Sequence, residues 1–97
     1  MIRHVVMLTF KPEVSQEQRL QLRDLSVATL GQIPGVKNLI AGQALDIEGK
    51  PLCDAAVFID FDDEAKLKAY LAHPVHKAAE AQLPAMCRDI KMLDCLY

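Results

Sequence analysis

Tyr70-Leu71-Ala72-His73-Pro74-Val75-His76 gathers two of the three histidines and one of the two tyrosines into seven residues. An imidazole titrates near neutral pH, so His76 suits the work of a general base, and the Tyr70 phenol suits that of a partner for a developing enolate oxygen. Pro74 fixes its own φ and turns the residue before it away from helical geometry. One helix is therefore expected to end near Ala72 or His73, and another to begin with Pro74 as its first residue. His76 then lies in a first turn, whose positive end favours the neutral imidazole that a base needs. The same placement also fits a structural role, in which His73 and His76 satisfy orphan backbone groups at the corner.

The third histidine, His4, shares a strand face with Ile2, Val6, Leu8 and Phe10, a setting that more often marks a satisfied core residue. A metal would need a third ligand spaced to join His73 and His76, and the proline splays that pair, so no metal site is expected. Asp60, Asp62, Asp63 and Glu64 offer a hard cation some oxygens, but acids in a run before a helix ordinarily serve its N-terminus. Cys53, Cys87 and Cys95 are odd in number and show no C-x-x-C spacing, which argues against a disulfide framework and a zinc knuckle. They read as small buried hydrophobes. With five aromatic residues and no Trp, stacking on haem or flavin has little support, and no cofactor is expected.

The elements that must position these groups follow from periodicity. Met1 to Phe10 reads as a strand, apolar on both faces. Ser15 and Gln18 have capping-box spacing with Val14 as staple, opening a helix over about Gln16 to Gly31 that carries Leu22, Leu25, Thr29 and Ile33 as one stripe. Gly31 and Pro34-Gly35 close it. Val36 to Leu45 is a weaker strand, in which Gly42 suggests a bulge or a close backbone approach. Cys53 to Phe61 is the strongest strand pattern. A helix over about Asp63 to Ala72, a third over Val75 to Cys87 disturbed late by Leu83-Pro84, and a strand over Ile90 to Tyr97 complete the chain.

Ninety-seven residues, 52 % apolar and 25 % charged, make one domain, residues 1–97. The net charge of −2 and pI near 5.8 leave no basic footprint for nucleic acid. No segment reaches the length of a membrane span or resembles a signal peptide, so a cytoplasmic protein without a membrane partner is expected. The element order is that of an α+β, ferredoxin-like β-α-β-β-α-β fold, an antiparallel four-stranded sheet with helices on one face. Its uncovered face would show Val5, Met7, Ala56 and Phe58, more apolar surface than a monomer normally tolerates. A second copy is the simplest cover, making a homodimeric α/β barrel.

The chain resembles the stress-responsive A/B barrel family, often called the Dabb domain, over essentially its whole length. The resemblance rests on Ile2-Arg3-His4-Val5-Val6-Met7-Leu8-Thr9-Phe10-Lys11, Ile33-Pro34-Gly35-Val36, Ala56-Val57-Phe58-Ile59-Asp60-Phe61 and above all Tyr70-x-x-His73-Pro74-x-His76, continuing to Leu83-Pro84. It implies a dimeric barrel with a small pocket between sheet and helices in each subunit. Plant members of similar pattern include polyketide cyclases, in which the residue matching His76 is the general base, that matching Tyr70 positions substrate and that matching His4 faces the pocket. Ala55 stands here where those have a further histidine, and about Ser26 where they have a tyrosine. The expected pocket is lined by His4, Val6, Leu8, Ala55, Val57, Tyr70 and His76, with His73 beside it, and takes a small apolar or aromatic ligand. The rival readings are a cofactor-independent lyase or cyclase using His76 and Tyr70, and a structural stress protein acting through assembly.

Overall fold

A computed structural model describes residues 1–97. In chain order it contains β1 (Ile2–Phe10), α1 (Gln16–Leu30), β2 (Lys37–Gln43), β3 (Ala55–Phe61), α2 (Glu64–Ala72), α3 (Pro74–Met86) and β4 (Cys87–Leu96). The strands form one antiparallel sheet in the order β2-β3-β1-β4, the ferredoxin-like arrangement with its second helix split at the His-Pro corner. No helix is long and apolar enough to cross a membrane.

Local chemistry accounts for the helix starts. Ser15 Oγ accepts from the Gln18 N–H while Gln18 Oε1 accepts from the Ser15 N–H, so the capping box forms, and the expected staple residue Val14 is instead buried with Leu8, Phe10 and Cys87. Asp63 caps α2 by accepting from the Lys66 N–H. The other acids of that run are also spoken for. Asp60 takes Arg3 and Asn38, Asp62 takes Lys37 and Lys66, and Glu64 lies 3.8 Å from Lys68.

The structure corrects three expectations. Pro84 lies late inside α3, as expected, but Met86 passes straight into β4, which therefore begins at Cys87 rather than Ile90. The irregularity in β2 falls at Asn38 and not at Gly42. The register against β3 slips between Lys37 and Ile40, and Asn38 takes φ 51°, a left-handed conformation that Asn tolerates, with its amide donating to Asp60. Gly42 has open space where a side chain would go. Finally, α1 buries only Leu30, and Leu25 and Val27 stay about half exposed.

That last feature follows from how the core is divided. One buried cluster joins Ile2, Leu30, Ile33, Ile59, Phe61, Leu67 and Tyr70 at one end of β1; the other joins Leu8, Phe10, Val14 and Cys87 at its far end. Between them, the middle of β1 carries His4 and Val6 under helices that do not close on it. On the opposite sheet face Ile40, Phe58, Val5 and Leu93 stand in register across all four strands, with nothing over them. Arg3 and Asp60 flank this row as a two-pronged ion pair at 2.8 and 3.0 Å. The carboxylate has almost no accessible surface, yet it is covered by the polar ends of Arg3 and Asn38, and those donors hold it well below the usual carboxylate range.

Candidate functional site

The gap between the two core clusters is a cavity of about 880 Å³ between the sheet and helices α1 and α3, with His4, Val6, Leu8 and Val57 on its floor. Leu22, Leu25, Ser26 and Thr29 of α1 form one wall, α3 from Val75 onward forms the other, and Ile90 and Met92 of β4 close a side. Tyr70 and His76 enter from the helix corner. Their convergence with His4 is a tertiary fact. The Tyr70 ring lies 4.6 Å from that of His76 and 5.9 Å, edge on, from that of His4, and Phe61 supports it from behind at 5.1 Å.

Hydrogen bonds fix the protons on these rings. His76 Nδ1 lies 3.1 Å from the Leu71 carbonyl, which can only accept, so Nδ1 carries the proton and Nε2 of the neutral ring keeps its lone pair. Glu80, one turn along, stands 3.7 Å from the same Nδ1. His4 Nδ1 lies 2.5 Å from the Asp94 carboxylate and donates to it. His4 Nε2 is then left as the one buried side-chain polar atom in the protein without a partner. His73 behaves differently. Its Nδ1 accepts from the Val75 N–H at 3.1 Å, so it is the N-cap of α3 and is not among the residues around the cavity. Ala55 likewise packs into the second core cluster beside Leu8 instead of facing the cavity. His76 Nδ1 satisfies an orphan carbonyl at the end of α2, as its structural reading expects, and its ring also lines the cavity.

Burial pushes the Tyr70 phenol up to about 12, with the Glu80 carboxylate adding to the effect. Tyr70 is therefore a proton donor at any ordinary pH. Because the folded state holds this proton more tightly than the unfolded chain does, the stability it supports is complete below pH 10 and is lost as pH rises through about 12. A Tyr70→Phe variant has no such proton to lose. Its urea midpoint should fall less than that of the wild type across this alkaline window, and an equal fall would show that the phenol is not held this way. The buried Cys87 thiol is also pushed up, mainly by desolvation, which makes it a poor nucleophile.

Sequence reasoning did not single out Asp94. The signal lies in strand pairing, because Asp94 stands directly opposite His4 in the β1–β4 register. It also passed over Thr29 and Glu80 as cavity residues, and Ser26 entered only as a departure from a family tyrosine.

Comparison with solved structures returns proteins of the same architecture over nearly the full chain. A dimeric ferredoxin-like protein of unknown function from Thermobifida fusca is 28 % identical, with a TM-score of 0.82, covering 99 % of this chain and 90 % of that one. A dimeric ferredoxin-like protein of unknown function from Jannaschia is 27 % identical, with a TM-score of 0.83, covering 99 % and 98 %. An Arabidopsis thaliana protein at 21 % identity and TM-score 0.86, covering 100 % and 95 %, shares the fold. No curated protein matches the chain. The family model described as the stress responsive A/B barrel domain matches residues 2–96, and the chain belongs to that family.

Proposed function

We propose that the protein is a homodimer that binds a small, largely apolar ligand in the cavity of each subunit. The observation that carries this reading is the convergence of His4, Tyr70 and His76 on one cavity whose remaining wall is mostly apolar. Support for the dimer comes from the row Ile40, Phe58, Val5 and Leu93 on the uncovered sheet face, continued by Met7 and Ala56, and from the two relatives described as dimeric. Nitrogen-15 NMR of the histidine side chains tests the ligand site. Small phenols, β-keto acids and aromatic ligands, added in turn, should include one that moves His4 and His76 together and leaves His73 unmoved. A panel that moves neither ring would leave a dimeric scaffold without a working pocket.

The tautomer of His76 favours a second reading, a cofactor-independent lyase or cyclase. Nε2 of the neutral ring can take a proton from a carbon beside a carbonyl. The electron pair moves onto the carbonyl oxygen, and the protonated Tyr70 phenol can donate a hydrogen bond to that enolate. A β-keto ligand should then exchange its acidic C–H for deuterium in the presence of the protein. His76→Ala should slow that exchange by about 100-fold or more while leaving the fold intact. Exchange unaffected by His76→Ala would remove the enzyme reading.

A further inference from the structure

The polar groups around the cavity have mostly spent their protons elsewhere. Ser26 Oγ donates to the Leu22 carbonyl at 2.7 Å and Thr29 Oγ1 donates to the Leu25 carbonyl at 2.8 Å, so both hydroxyls have only lone pairs left to offer. His4 and His76 each commit Nδ1–H to an oxygen, which makes Nε2 of the neutral ring an acceptor in both. Glu80 adds a carboxylate at the rim. The lining side chains that keep a donor are Tyr70 and, on the exposed side of α3, Lys77 and Gln82. A buried acceptor with nothing to accept is costly, and His4 Nε2 is in that position.

We infer that the cavity selects an uncharged ligand presenting hydroxyl donors from an apolar body, a phenol or an enol, in preference to ethers, hydrocarbons and carboxylates. The inference rests on the reading of the cavity as a ligand site and names the chemistry of its ligand. An ether of the same shape leaves His4 Nε2 unpaired. A carboxylate sets a negative charge among acceptors and beside Glu80, with no proton to give them, and Lys77, the one lysine or arginine in the lining, stands on the exposed side of α3. A hydroxyl supplies what Ser26, Thr29 and the two imidazoles lack.

Three probes differing in one substituent test this on the unaltered protein: 4-propylphenol, its methyl ether 4-propylanisole, and 4-propylbenzoate. Each is titrated at about pH 8 and followed through the Nε2 signals of His4 and His76, whose shifts also report whether each ring is neutral. The phenol should bind on the order of tenfold or more tightly than the ether, the scale set by leaving a buried acceptor unpaired. The benzoate should bind no better than the ether. Equal binding of phenol and ether, or tightest binding of benzoate, overturns the donor rule while leaving the pocket standing. If none of the three moves either imidazole at millimolar concentration, the ligand-site reading fails and takes this inference with it.

Discussion

Phe58→Asp is expected to turn the dimer into a folded monomer. Phe58 is paired with Val5 of β1 and with Ile40 of β2, at the centre of the apolar row on the uncovered face; neither of these direct partners can pair a carboxylate, and the nearest guanidinium, that of Arg3, is already held by Asp60. In the proposed homodimer two-fold symmetry would bring the same row from both copies together, so each dimer would carry the substitution twice. A loss of about 2 kcal/mol per side, typical of a central interface residue, compounds to roughly a thousand-fold in the dimer dissociation constant. Within one subunit the side chain faces away from the helices, so far-ultraviolet circular dichroism should change little. Sedimentation equilibrium at micromolar concentration reads the answer against a chain mass of 10.8 kDa. A wild-type protein that sediments as a monomer would remove the dimer altogether, and a Phe58→Asp protein that stays dimeric would place the interface on another surface.

The second large effect is expected from Phe61→Ala. Phe61 is completely buried, lies in the cluster that joins β1, β3 and α2, and carries the Tyr70 ring on its own at 5.1 Å. Truncation to Ala should cost about 3–5 kcal/mol, part in lost transfer free energy and part in the cavity left behind. For a domain of this size that corresponds to a fall in melting temperature of roughly 15–30 °C. Function should suffer as well, because the Tyr70 ring would lose the surface that holds it between the two imidazoles. Phe61→Leu, which keeps most of the volume, should lose less than about half as much. Equal losses in the two variants would show that packing behind Tyr70 is not what holds the corner.

Much of this architecture was legible because it depends on near neighbours in sequence. Ser15 and Gln18 sit three residues apart, so their reciprocal cap could be read directly. The proline between His73 and His76 dictates a helix break whatever surrounds it. Alternation in β1 and β3 assigned Ile2, His4, Val6 and Leu8 to one face and Val5 and Met7 to the other, and the two apolar faces pointed to a covering layer on each. Residues that take their role from a distant partner were not legible in the same way. Asn38 looked unexceptional and Gly42 looked special, yet the bulge formed at Asn38 because Asp60 across the sheet accepts its amide. Ala55 and His73 carried pocket roles in the sequence reading. Packing against Leu8 claimed the first, and the open N-terminus of α3 claimed the second.

The sequence by itself therefore determined the order of elements, the ferredoxin-like class, the histidine corner and the apolar row beneath the uncovered face, since periodicity and local hydrogen bonding set all of these. Tertiary structure alone decided that His4 meets Tyr70 and Asp94, that the helices leave a cavity over the middle of β1, and which nitrogen of each imidazole carries its proton. Alternation states which face a residue occupies but not which residue stands opposite. His4 and Asp94 are ninety positions apart, and only the register of β1 against β4 brings them together.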